Sequence, residues 1–376
     1  GTYTVVGAFT SSDPNYTDGS AQTTFTIDPA ATTVTISSSA NPSVFGQPVV
    51  FTASVTSGSG AVPTGSVQFI VDGSNFGAPV LLDAGGQATS AADTFLSGLD
   101  HAIEVVYTNS DGNFVGSDGT LTQMVQAVGL GSDPLNPDAT DLFVGGTASD
   151  GHITVKLDHG MVRVRIGNQN SDVSVPPSEL NALVVYAQAD NEHIVVDRNL
   201  TLPTFLFGGD GDNVHVRGGG GPTVVVGGAG RNNHLVSGSG RSILIAGAGG
   251  GHLVGSRAGS ILIGGTTDYD HNLAALEAIL QEWARTDESY LQRVANLENA
   301  PVSIGSQTVN PDGSYTAGFY LTPSTVHDNG VRDYLNGHAA HDNGIAARDW
   351  FFAQLGGSEQ DKMSRRRKDE ILTEIW

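Results

Sequence analysis

The chain has no cysteine, so neither a disulfide framework nor a thiolate metal centre can hold it together, and backbone ladders and apolar packing must. Positive charge is scarce and comes late. There are 17 Lys and Arg against 39 Asp and Glu, a formal charge of −22, and the first basic side chain is Lys156. Such a surface repels phosphate backbones, which argues against a nucleic-acid partner. Lys362, Arg365, Arg366, Arg367 and Lys368 stand together near the end, and a run of this kind reads as a solvated charge cluster rather than a binding patch. No apolar stretch approaches the roughly 18 residues needed to span a bilayer. No Lys follows the glycine-rich runs, which excludes a phosphate loop, and no HExxH zinc motif or Ser-His-Asp pattern is present.

Glycine, by contrast, is abundant, with 50 in 376 residues, and points to repetition rather than to one globular enzyme. Residues 1–28 read as two strands joined by a loop of turn formers, Asp13, Pro14, Asn15, Asp18 and Gly19. Two strands are marginal alone, so this segment is expected to end a preceding repeat, with further repeats upstream. From Thr32 to Gln126 short β-branched and aromatic runs recur with turn signals between them, and apolar residues alternate within them, as in Val67, Phe69 and Val71 or Ile103, Val105 and Tyr107. That pattern predicts an all-β sandwich over 29–128. Gly131, Asp133, Pro134, Asn136 and Pro137 mark 129–140 as a linker.

The segment TVTISSSANPSVFGQPVVFTASV, with PTGSVQFIVDG and the Tyr107 strand, resembles the bacterial immunoglobulin-like repeats of surface proteins. The resemblance implies the fold and says almost nothing about a ligand.

Beyond Thr204 the chain divides into half-coils of nine or ten residues, each a glycine-rich turn and a short apolar strand. TFLF at 204–207, TVVV at 223–226, SILI at 242–245 and SILI at 260–263 form one series, and His215, His234 and His252 open the other. One coil is therefore two strands and two turns. Like residues should stack about 4.8 Å apart along a parallel sheet, with Leu206, Val225, Leu244 and Leu262 pointing inward. A solenoid of this kind is stable only when several coils adjoin. The predicted fold is mainly β: immunoglobulin-like sandwich, then a parallel β-roll or β-helix over 141–266, a helical segment over 267–299 and a C-terminal cap over 300–376.

GGDGDNVHV at 208–216 and GGAGRNNHL at 227–235 resemble the RTX nonapeptide that binds calcium in β-rolls. The stretch from Leu142 to Trp376 is similar to planctomycete secreted proteins with degenerate RTX-like repeats, through LFVGG, LVVYAQADNEHIVV, ILIGGTTDYD and ARDWFFAQLGG. The resemblance implies an exported, extracellular or cell-surface protein associated with calcium. This sequence departs from the repeat where calcium would be held, because the carboxylate position of the turn carries Asn213, Asn232, Ser242, Gly251 and Ser260. Neutral side chains cannot replace the water stripped from a dication. Acidic oxygens survive at Asp190, Glu192, Asp210 and Asp212, and at Asp333 and Asp349. These six are the candidate calcium ligands; the competing expectation is that Asn and Ser form stacked hydrogen-bond ladders and the aspartates are solvated.

His215, His234 and His252 precede inward apolar residues and are expected to form an outward column, better spaced for stacking than for converging on one metal. In the other series both neighbours of each inward residue are apolar, so that face must be covered. Leu273, Leu276, Ile279, Leu280 and Trp283 follow at helical spacing, with Asp270 as N-cap, and Glu288 to Leu297 suits a second helix. These helices are expected to cover the sheet. Asp210, Asp212, His215 and Arg217, and separately His338, His341 and Asp342, are the polar groupings an enzyme would need, since parallel β-helices also carry polysaccharide lyases. The preferred expectation is a non-catalytic structural or adhesive module, whose partners would be an extracellular glycan, matrix or another surface protein. The alternatives are a calcium-dependent folding and export module and a polysaccharide-active enzyme.

Overall fold

The computed structural model describes residues 1–44, 47–92, 96, 100–146, 151–187, 190–299, 319–338 and 347–376. The chain is mainly β and forms two compact units, the first made of residues 1–41, 48–93 and 100–124 and the second of residues 125–376 together with the short segments 42–47 and 94–99.

In the first unit Thr2–Phe9 and Gly19–Thr26 pair antiparallel in an exposed hairpin. The remainder is a sandwich. One sheet joins Thr32–Ser38, Phe51–Ser57 and Gln87–Thr89; the other is built on Gly65–Val71, Ser74–Leu81, Asp100–Asn109 and Ser117–Gln126. Alternation places Val34, Phe51, Ala53 and Val55 of one sheet, and Val67, Phe69, Val105 and Tyr107 of the other, in the core. The β-forming residues of this stretch predict a strand only over Val80 to Leu82, whereas the strand Ser74–Leu81 begins earlier. Its turn explains the difference: Asp72 and Gly73 have φ of 49° and 78°, the left-handed pair of a tight hairpin that returns the chain at once.

The second unit is a two-sheet parallel solenoid. Along the first sheet run Val128–Ser132, Thr140–Gly145, Leu183–Tyr186, Thr204–Phe207, Thr223–Val226, Ser242–Ile245, Ser260–Ile263, Trp350–Ala353 and Ile371–Glu374. Along the second run Gln169–Val175, Met161–Ile166, His152–Asp158, His193–Val196, His215–Arg217, Asn233–Val236, Gly251–Val254, Tyr334–Asn336 and Lys362–Ser364. Thr204, Thr223, Ser242 and Ser260 are in register, as are His215, His234 and His252. The interior is apolar from both sides: Leu206, Val225, Leu244 and Leu262 meet Val216, Leu235 and Leu253.

Two stretches differ from the sequence reading. Val128–Ser132, inside the presumed linker, is a strand antiparallel to Thr140–Gly145. The turn formers between them close a hairpin, with Asp133 Oδ1 accepting from Leu135 N and Asn136 N, each at 2.7 Å. The C-terminal region is not a separate cap, because Tyr334, Trp350, Lys362 and Ile371 each open a strand that extends one of the two sheets.

The outer face of the first sheet is a second apolar layer. Phe205, Val224, Ile243 and Ile261 are 0–1% exposed, beneath Leu276, Ile279, Leu280 and Trp283 of helix α1, Leu273–Ala284. Helix α2, Tyr290–Asn299, adds Tyr290, Val294 and Leu297. Asn272, not Asp270, caps α1, accepting from Ala275 N at 3.1 Å. Asp270 is instead buried and accepts from Thr267 N and Oγ1 at 3.0 and 2.6 Å. A carboxylate already committed to the preceding turn cannot also serve the helix end.

Candidate functional site

The turns beside the second sheet are held by side-chain ladders. Asn191, Asn213 and Asn232 share a left-handed backbone, with φ of 58°, 59° and 58°, a conformation Asn tolerates better than most residues. Asn213 Nδ2 donates to Asn191 Oδ1 at 3.2 Å, and Asn232 Nδ2 to Asn213 Oδ1 at 3.3 Å. A parallel carboxylate ladder runs beside them, in which Asp190 Oδ1 accepts from Asp212 N at 2.8 Å and Asp212 Oδ1 from Arg231 N at 2.6 Å. The polar side chain of each coil thus binds its neighbour.

The other candidate ligands lie elsewhere. Asp210 is exposed in the turn. Glu192 is buried with its carboxylate beside Gly146. Asp333 and Asp349 are fully buried, one at the start of a strand in each sheet. Asp333 accepts from Gly251 N at 2.5 Å and Asn329 Nδ2 at 2.9 Å. Asp349 accepts from Ser260 N at 2.7 Å and His338 N at 3.0 Å. One coil further, Asp361 accepts from Asp333 N at 2.8 Å and Glu370 from Asp349 N at 3.0 Å. Among the described residues no group of three or more His, Asp or Glu is arranged to hold a metal ion, and the six candidates are not brought to one point.

Sequence reasoning missed a further group of buried acids around the first coil: Asp133, Asp141 and Glu277 are 1–5% exposed. Asn181 Nδ2 donates to both Asp133 Oδ2 and Glu277 Oε1. Burial, followed by the neighbouring Asp133, pushes Asp141 up to about 7 and Glu277 up to about 8. Burial alone is the main cause at Asp333, pushed to about 7, and Asp361, pushed to about 6. Spacing could not reveal the first group, because α1 brings Glu277 to residues more than a hundred positions away.

The most regular side-chain array outside the core lies on the outer face of the second sheet. The histidine column predicted from three residues has five, since His152 and His193 occupy the same register. Their ring centroids step by 4.9, 4.7, 5.5 and 5.1 Å from His152 to His252. Tyr334 continues the column edge-on at 6.1 Å, and the Lys362 ammonium lies 5.4 Å from the Tyr334 ring centroid. Burial and the flanking imidazoles lower the pKa of His193 and of His234. The signal for the two missed rings was present: His152 and His193 both precede Ile and a β-branched residue, as His215 precedes Val216.

The groups an enzyme would need are divided among these ladders. Asp212 serves the turn and His215 the ring column, and Arg217 stands two residues along the same strand. His338 Nδ1 is 2.6 Å from Arg365 Nη1; His341 and Asp342 lie outside the described residues. The C-terminal basic run is also divided, for Arg366 and Arg367 donate to the carbonyls of Glu370 and Ala347.

Residues 34–126 match the family profile of the bacterial Ig-like domain, group 3, which covers the sandwich of the first unit. No curated protein and no solved structure matches the chain.

Proposed function

We propose that this chain is a non-catalytic structural and adhesive module of a secreted or cell-surface bacterial protein, with the sandwich as one of a series of spacer repeats and the solenoid as the part that meets a partner. The match to a bacterial Ig-like domain supports a structural, surface-associated role, and no helix among the described residues is long and apolar enough to cross a membrane. The observation that carries the reading is that the solenoid closes with its own groups. Asn and Asp ladders bind coil to coil, and α1 and α2 cover the apolar outer face of the first sheet. A self-completed scaffold of this kind suits load and display, and the outer face of the second sheet remains for contacts.

A calcium-dependent folding and export module is the second reading. One buried acceptor favours it, Asp141 Oδ1, which has no hydrogen-bond partner, although Asp133, Asp141 and Glu277 are not arranged as a metal-binding group. The resemblance to degenerate RTX-like repeats points the same way. Thermal unfolding of the full chain, after exhaustive chelation and again in millimolar calcium, separates the two. A scaffold closed by its own Asn and Asp ladders gives the same midpoint in both; a large upward shift with calcium replaces it with the calcium-dependent module.

A further inference from the structure

We propose that the outer face of the second sheet binds a linear polyuronate, a polysaccharide carrying one carboxylate per sugar, laid along the solenoid axis. The inference rests on the adhesive reading above and names its ligand class. Three observations carry it.

The first is charge. The nine strands of this sheet carry exposed Lys156, Arg163, Arg165, Arg217 and Lys362 against Asp158 and Asp172. The chain as a whole has the opposite balance, 17 basic against 39 acidic residues. Basic side chains concentrated on one face of an acidic protein form a local field that attracts an anion where the rest of the surface repels it.

The second is geometry. His152, His193 and His215 stack nearly parallel, and His234 stacks on His252, with a 58° tilt between His215 and His234, so most ring faces lie against a neighbour and the ring edges are left for contacts. The edge offers an N–H donor once per coil, at the 4.7–5.5 Å steps of the column. A row of single donors at constant spacing matches a polymer whose carboxylates recur with each sugar unit, and the coil step is of the order of one sugar unit. Single-stranded nucleic acid needs free ring faces on which bases can stack, and most of these rings already stack on a neighbour.

The third is relief. Clefts of about 510, 830 and 360 Å³ open on this sheet. The first lies between His152 and Arg165, the largest between the lower rings and Arg231, Arg332 and Tyr334, and the last between Arg217 and Arg198. Each pairs polar backbone with at least one guanidinium, the group that holds a carboxylate by two parallel hydrogen bonds.

Protonation of the column adds to the attraction. The charged and titratable groups around it are the five imidazoles themselves, Tyr334, Lys156, Lys362, Arg165, Arg198, Arg217, Arg231 and Arg332, with Asp190, Asp197 and Asp212 in the adjoining turns. Binding therefore strengthens as pH falls far enough to charge His193 and His234, which burial and the flanking imidazoles hold below the ordinary imidazole value.

The test is titration of the full chain, in chelator and at low salt, with alginate oligosaccharides, neutral dextran oligosaccharides and duplex DNA. Circular dichroism on each sample reports whether the chain is folded. Alginate binds, and its affinity falls about tenfold or more between about pH 5.5 and pH 8 and falls again with salt. The Arg217→Ser, Lys362→Ser double variant and the His215→Gln, His234→Gln double variant each lose most of it while keeping the wild-type unfolding midpoint. Should the second pair misfold, Arg217→Ser with Arg165→Ser, both exposed, makes the same measurement. A folded chain that ignores alginate overturns the proposal and leaves the scaffold reading standing. So does equal binding of dextran, which assigns the contact to uncharged sugar recognition, or equal binding of DNA, which makes the face a general polyanion trap. A chain that is unfolded in chelator overturns the scaffold reading, and this inference with it.

Discussion

In a solenoid turn a polar side chain is best satisfied by the next coil, and Asn213 and Asn232 are placed to do this. Both hold left-handed backbone and pass a side-chain hydrogen bond from coil to coil. Asn213→Ala removes the ladder and puts a less tolerant residue at φ of 59°, so the solenoid should lose about 1–2 kcal/mol. Asn213→Gly restores the backbone freedom and should recover part of the loss, read as the unfolding midpoint of the two variants. The stacked glycines admit no such exchange. A Cβ on Gly228, at φ of 81°, would overlap Gly209 O, so Gly228→Ala should displace the coil and cost more than Asn213→Ala. The ladder was legible in the sequence as an alternative to calcium because Asn replaced the carboxylate at a fixed repeat position. The buried acids Asp141, Asp361 and Glu370 were not legible, since an Asp or Glu before a strand looks the same whether it is solvated or caps a backbone N–H beneath a neighbouring coil.

At the scale of elements, the cover over the first sheet was written in two periods. Strands apolar at three successive positions required a lid, and Leu276, Ile279, Leu280 and Trp283 supplied one at helical spacing. The cap was misread because Asp270 and Asn272 are both good N-cap residues, and only the Thr267 turn decides which is free. The return of the chain was also hidden. After Ile263 it leaves the first sheet for the helices and rejoins at Trp350, and a period of 18 or 19 residues cannot be followed across that interval. Trp283 is fully buried between the sheet and α2, with the Arg293 guanidinium 5.1 Å from its ring centroid. Trp283→Ala should cost about 3–5 kcal/mol and loosen α1 from the sheet, which dye binding to the uncovered Phe205–Ile261 face would detect. Unchanged stability and no dye binding would mean that the helices do not hold the sheet.

For the molecule as a whole, pH is the variable that reads its buried charge. Asp141 and Asp333, near 7, and Glu277, near 8, keep protons in the folded chain that an unfolded chain gives up at the ordinary carboxylate values. Between those limits the native state binds more protons than the unfolded one. This stabilisation is therefore complete below the unfolded values and is lost as pH rises through about 7 to 8. His193 and His234 act in the opposite sense. Their lowered pKa makes the folded chain the poorer proton binder, so their contribution is present above the ordinary value of 6.5 and lost as pH falls. Above 6.5 only the carboxyls still titrate, and the unfolding midpoint should fall between about pH 6.5 and pH 8.5. Asp141→Asn with Glu277→Gln should flatten that fall, because neutral amides replace two of the groups that lose their protons. If calcium flattens it as well, a cation has replaced the protons on these carboxyls. Because the amide variant is already flat, the discriminating reading is the midpoint at pH 8.5: calcium that raises it in the wild type and not in the amide variant acts through Asp141 and Glu277 rather than through the Asn ladders.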